Sequence, residues 1–153
     1  MELRPYQNEA NDRIQEEWAS GVKKTLLVLP TGLGKTVTFS DLTKQLVSKG
    51  ERVLIMAHRG ELLDQAADKL FKVTGLKAAV EKADQTAKKS FYSVTVGSVQ
   101  TLMREKRLQD FPQDYYDTII VDEAHHILAS SYQKVLEYFC EAKVLGVTAT
   151  ADR

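Results

Sequence analysis

The sequence has a single cysteine, Cys140, so it can form no internal disulfide and no cysteine-based metal cluster. The expected place for Cys140 is as a small apolar side chain on a late helix. No stretch approaches about 18 consecutive apolar residues, which excludes an expected membrane-spanning helix. The opening Met1-Glu2-Leu3-Arg4-Pro5 lacks the charged-then-apolar order of a signal peptide. Charge of one sign is also missing: Lys plus Arg equals Asp plus Glu, 21 against 21, so the chain has no strong overall pull toward nucleic acid. Any such binding must come from local groups or from another region. Internal repeats, low-complexity tracts and linkers are absent as well. What remains is 153 residues, 43% apolar and 27% charged, the composition of one globular domain. An intracellular, cytoplasmic protein is expected.

The stretch Leu29-Pro30-Thr31-Gly32-Leu33-Gly34-Lys35-Thr36 organises the chain. It follows the apolar run Thr25-Leu26-Leu27-Val28-Leu29 and opens a segment that reads as a helix, Lys35 to Lys49. Strand, glycine loop and helix are the context of a phosphate-binding loop. Gly32 and Gly34 let backbone N–H groups approach an anion, and the helix start adds its own unpaired N–H groups. Lys35 can bring a point charge to terminal phosphates, and the Thr36 hydroxyl can ligate Mg²⁺. Leu29 stands where the general pattern has its first glycine. An ordinary turn before a helix is the alternative for the loop taken alone.

The rest of the chain alternates strands and helices. Further strands are expected over 52–57, 76–80, 92–96, 118–121 and 143–147. Helices are expected after Pro5, over 60–73, 98–103 and 130–140. On the first helix Ala10, Ile14 and Trp18 form an apolar stripe; on the last, Tyr132, Val135, Leu136 and Phe139 share one side. Lys82 to Ser90 reads as a solvated loop or, alternatively, a nucleic-acid patch. Arg104 to Tyr116 reads as polar and irregular, broken by Pro112. The pattern gives an α/β fold, a parallel sheet with helices on both faces. Arg153 follows directly on a strand, as at a cut within a longer protein.

Val121-Asp122-Glu123-Ala124-His125-His126 ends the 118–121 strand. Ligands in open parallel sheets sit beyond the carboxyl ends of strands, so Asp122 and Glu123 are expected to face the same crevice as Lys35 and Thr36. Asp122 can hold Mg²⁺ through a water, and Glu123 can orient and deprotonate an attacking water. The acid pair taken alone could instead face solvent, and His125-His126 could be a ligand-free helix start. A zinc-type site at the two histidines lacks a third ligand of the usual spacing.

With these motifs in place, the chain resembles the first RecA-like domain of a superfamily-two helicase, of the DEAH-box kind close to type III restriction enzyme helicase subunits. Pro30-Thr31-Gly32-Leu33-Gly34-Lys35-Thr36 matches that family's phosphate loop, and Asp122-Glu123-Ala124-His125 matches the box that names it. Thr148-Ala149-Thr150 matches the next motif, with Ala151 where proline is usual. Leu3-Arg4-Pro5-Tyr6-Gln7 is similar to the glutamine motif that reads adenine; an amide can bond adenine through one donor and one acceptor. Ala57-His58-Arg59-Gly60-Glu61-Leu62 and Gly97-Ser98-Val99-Gln100-Thr101 resemble the two nucleic-acid motifs.

The resemblance implies a RecA-like P-loop NTPase domain over residues 1–153, the motor of an ATP-dependent DNA helicase or translocase. ATP and Mg²⁺ are the implied cofactors. Arg4, Gln7, Thr31, Gly32, Leu33, Gly34, Lys35 and Thr36 would bind nucleotide, and Thr36 and Asp122 the metal. Lys35, Asp122 and Glu123 would be catalytic. His125, Thr148 and Thr150 would relay the state of the γ-phosphate. His58, Arg59, Gly97, Ser98 and Thr101 would meet nucleic acid, with DNA favoured over RNA; Ser98 alternatively caps a helix. A second RecA-like domain after Arg153 would supply an arginine finger, so the 153 residues alone would turn over slowly. A P-loop ATPase or GTPase switch and a non-enzymatic nucleic-acid-binding module are the other readings.

Overall fold

Apolar runs too short for helices and covered on both sides become the strands of a parallel sheet. A computed structural model describes residues 3–29, 34–58, 63–81 and 92–149. The order is α1 (Pro5–Ala19), β1 (Lys24–Val28), α2 (Lys35–Ser48), β2 (Val53–Ala57), α3 (Leu63–Thr74), β3 (Ala78–Glu81), β4 (Val94–Ser98), α4 (Val99–Leu102), α5 (Glu105–Gln109), β5 (Thr118–Asp122), a 3₁₀ turn (Ala124–His126), α6 (Ser130–Tyr138) and β6 (Lys143–Thr148). The strands form one six-stranded sheet in the order β1-β6-β5-β2-β4-β3, and every neighbouring pair is parallel. The loop after β1 and the end of β5 therefore open on the same edge of the sheet, with β6 between them.

Side-chain alternation splits the core in two. Val53, Ile55, Ile120, Leu145 and Val147 point to one face, where Ile14 of α1, Phe39, Leu42 and Leu46 of α2 and Leu70 of α3 cover them. Leu54, Met56, Ile119, Val121 and Val144 point to the other, under Leu102 of α4, Leu108 of α5 and Tyr132, Val135 and Leu136 of α6. Helices cover both faces of the sheet, as the sequence predicts, but edge strand β1 leaves Leu26 and Val28 exposed. No helix of the described residues is long and apolar enough to cross a membrane.

Four local expectations change. The stretch read as irregular, Arg104 to Tyr116, contains the helix α5. Its single buried residue, Leu108, leaves no apolar period to detect, and Phe111 and Tyr116 beyond it also join the core. β4 starts and ends two residues later than the pattern suggests, because pairing sets its register: Val53 lies against Val94 and Ala57 against Ser98. Cys140 is exposed, in the turn after α6 rather than on a helix, and Phe139 beside it takes the buried place. On α1 the most buried residues include polar Gln7 and Asn11 beside Ile14. Asn11 donates from Nδ2 to the Thr38 carbonyl, 3.1 Å away. Lys82 to Ser90 lies outside the described residues.

Glu81, at the end of edge strand β3, is fully buried and pairs with Arg107 of α5. That ion pair pins α5 to the sheet. Removing one partner of a buried pair leaves the other charge less well neutralised. Arg107→Ala is expected to lower unfolding stability toward the low end of about 3–5 kcal/mol, since Arg107 is partly exposed. Urea unfolding of the two proteins checks this; an unchanged midpoint would show the pair to be idle.

Candidate functional site

Gly34 ends the glycine loop at φ 75°, a left-handed conformation, and caps α2. A Cβ built there would fall 2.3 Å from Gln7 Nε2, so any side chain at this position would displace the glutamine. Gln7 is held in place from α1: its Oε1 accepts the backbone N–H of Arg4 at 2.8 Å. The glutamine motif and the end of the phosphate loop are thus in van der Waals contact. The Arg4 side chain is exposed.

Lys35, the first residue of α2, reaches across to the end of β5. Its Nζ lies 2.7 Å from Glu123 Oε1 and 3.0 Å from Asp122 Oδ1. Two strands apart in the sheet, the lysine and the acid pair converge as the sequence predicts. Burial pulls the Lys35 pKa down, but the Glu123 hydrogen bond and the Asp122 charge outweigh it and leave it raised. The same bond from Lys35 holds the Glu123 carboxyl below its usual range, against a smaller opposing effect of burial.

Glu123 has φ 58° and ψ 55°, and it is the one non-glycine with positive φ among the described residues. A side chain in this region costs about 1–3 kcal/mol, and such strain gathers at functional sites. Asp122 Oδ1 accepts the Glu123 backbone N–H at 2.9 Å, which fixes the tight exit from β5. Nothing in the residue types announces this strained conformation. The turn brings the Glu123 side chain to Lys35, and His125 Nδ1 lies 3.6 Å from Glu123 Oε2.

These groups border a cleft of about 350 Å³ lined by Leu29, Gly34, Lys35, Thr36, Val37, Lys69, Glu123 and Ala149. A ligand pocket is typically about 300–1,000 Å³. Lys69 of α3 was not singled out from the sequence; only the packing of α3 against α2 brings it here. A groove of about 380 Å³ between α1 and β1 is slightly larger, but no candidate site residue lines it. Among the described residues no group of three His, Cys, Asp or Glu side chains could cage a metal. A divalent ion beside Thr36 and Asp122 would need further oxygens from phosphate and water, which is how Mg²⁺ is commonly held. The donor set fits Mg²⁺ bound with a polyphosphate.

The other candidate residues are placed as follows. Thr148 is buried at the end of β6. Ser98 and Thr101 are also buried, at 2% and 5% exposure, and the Ser98 side chain makes no cap hydrogen bond. Gly97 lies under Leu102 of α4, where a Cβ would come within 2.5 Å of Leu102 Cδ1, so this glycine has a packing reason. His58 stacks on His126, with ring centroids 4.4 Å apart. Thr31, Gly32, Leu33, Arg59 and Thr150 lie outside the described residues.

Residues 1–153 match the family described as type III restriction enzyme, res subunit. The chain belongs to that family. This Res-subunit domain is 38% identical, over 99% of its length, to IRC3 of Saccharomyces cerevisiae, named a candidate ATP-dependent helicase, and covers 24% of that protein. The chain thus spans about a quarter of the length of such curated relatives. Among solved structures it is similar to the Pyrococcus furiosus Hef helicase domain, with a TM-score of 0.80 and 24% identity over 96% of this chain and 33% of that one. It is also similar to the Sulfolobus solfataricus SWI2/SNF2 ATPase core in complex with dsDNA, with a TM-score of 0.76 and 21% identity over 99% of this chain and 32% of that one. The fold is the RecA-like fold of helicase ATPase domains, and the Res-subunit family places the chain in helicase superfamily two.

Proposed function

We propose that this Res-subunit domain is the ATP-hydrolysing half of a DNA-translocating motor of the DEAH-box kind. The observation that carries the reading is the position of Lys35 Nζ, within 3.0 Å of both Asp122 and Glu123 at the mouth of a phosphate-sized cleft. Lys35 and the loop N–H groups bind the phosphates. Thr36 and Asp122 would hold Mg²⁺. Mg²⁺, when bound, neutralises charge on the phosphate oxygens. Glu123 takes a proton from the attacking water. Gln7, pressed on Gly34, reads adenine with its amide, and Arg4 flanks it. His125, Thr148 and Thr150 relay the state of the γ-phosphate.

Nucleic acid lies across the carboxyl ends of β2 and β4, where Arg59 meets its backbone and the buried Gly97-Ser98-Thr101 segment supports that surface from beneath. DNA is the polymer proposed, since the SWI2/SNF2 core and the restriction enzyme LlaGI, both similar in fold, are each described with DNA or a DNA mimic. QP509L of African swine fever virus, 32% identical, is named a candidate RNA helicase, and the turnover measurement separates the two polymers. A second RecA-like domain supplies the arginine finger, and the motor works inside the cell.

Turnover of ATP and of GTP by the full-length protein, with and without DNA or RNA, tests this. DNA is expected to raise ATP turnover more than RNA does, while residues 1–153 alone bind nucleotide weakly and show no DNA-stimulated turnover. A finger is worth about 10³–10⁵ in rate, which sets the gap between the two proteins. A preference for GTP would replace the motor by a switch, and no nucleotide binding at all would leave a nucleic-acid-binding module.

A further inference from the structure

The sequence contains three histidines, and the fold brings all three together. His125 and His126 lie with ring centroids 4.1 Å apart, and His126 stacks on His58 at 4.4 Å with 15° between the planes. His58 leaves the end of β2, and His126 follows the end of β5. The two strands are neighbours in register, Met56 against Val121, so the segments that leave them emerge side by side. Beneath lies Tyr132 of α6, fully buried and nearly parallel to both rings, 6.3 Å from His58 and 6.4 Å from His126.

We propose that the stacked pair His58–His126 is the positioning contact through which the nucleotide cleft is coupled to the carboxyl end of β2, where nucleic acid is proposed to lie. The inference rests on the proposed function and adds residues to it. The physical path is short. Glu123 holds Lys35 and is the residue a nucleotide would release from that bond. Its strained backbone leads directly into the 3₁₀ turn that carries His126. A change in that turn moves the His126 ring, which is stacked on His58 at the end of β2.

Two further observations would favour a second arrangement of this contact. His58 Nδ1 and the Tyr132 hydroxyl are both buried without a hydrogen-bond partner. Buried polar groups are nearly always satisfied, so a second arrangement of the stack that pairs them would compete with this one. A discrete alternative of this kind is what coupling between two sites requires. Burial, then the neighbouring His125 and His58, hold the His126 pKa below its ordinary value.

The test is ATP turnover by the full-length protein, without nucleic acid and with saturating oligo-dT. His126→Ala is expected to lower the DNA-stimulated increase roughly fivefold or more, the usual lower range of a site-to-site coupling. Its DNA-free turnover should stay within about twofold of the unmodified protein, a window well below the coupling effect. His58→Ala should lose the same share, and the double variant should be no worse than either, because residues that act through one contact are not additive. His126→Phe keeps a flat ring and should recover most of the stimulation, which a general loss of stability would not allow. Full stimulation in His126→Ala, or single losses that multiply in the double variant, would overturn the inference alone. So would loss of DNA-free turnover in both His126 variants. An unmodified protein whose turnover DNA does not raise would overturn the proposed function together with it.

Discussion

Lys35→Ala is expected to lower ATP turnover by the full-length protein by about 10²–10³, the usual loss when one preorganised electrostatic partner of a transition state is removed. Nucleotide affinity should fall with it, because among the described residues no other side chain that lines the cleft is placed like Lys35. Lys69 also borders the cleft, but it starts from α3 and holds neither acid. The variant should remain folded: Lys35 and its partners lie at the open edge of the sheet, and Glu123 is 46% exposed, so their pairing adds little net stability. Isothermal titration with ATP and Mg²⁺, alongside turnover, reads both effects. Retained affinity and retained turnover in a folded Lys35→Ala protein would mean that the cleft is not where triphosphate binds.

Glu123→Gln separates binding from chemistry. The amide is nearly the same shape, it can still accept a hydrogen bond from Lys35, and it suits the left-handed backbone no worse than glutamate does. What it loses is the ability to take a proton. Turnover is expected to fall by about 10²–10⁴, the range of general-base catalysis, while nucleotide binding persists. Removal of one negative charge beside the phosphates should, if anything, tighten binding. The pair of outcomes is diagnostic, since Lys35→Ala loses both and Glu123→Gln loses one. Unchanged turnover in Glu123→Gln would take the role of base away from this residue.

Much of this site could be read from the sequence because its parts are local. The run Thr25 to Leu29, the glycine loop and the start of α2 are contiguous, and so are Thr118 to Val121 and the acids that follow. Apolar strands that are covered on both faces are readable as unbroken runs, which is why Val53 to Met56 stands out. What escaped reading depends on contacts between distant segments. The burial of Gln7 and Asn11 follows from their place against α2, and polar residues give no apolar signal. Helix α5 has one buried residue and an ion pair to β3, neither of which makes a period. The left-handed turn at Glu123 is imposed by the exit from β5, not by residue type. His58 and His126 meet only because β2 and β5 are neighbours. The same adjacency that a string of letters conceals produces the contact on which the further inference depends.

The double grip on Lys35 has one more consequence. A triphosphate arriving without metal would have to draw the ammonium away from two carboxylates and leave them facing its own negative oxygens. A divalent cation entering alongside replaces the lost positive charge at the same place. Metal and nucleotide should therefore load as one species, and the bare nucleotide should be a poor competitor for the empty cleft.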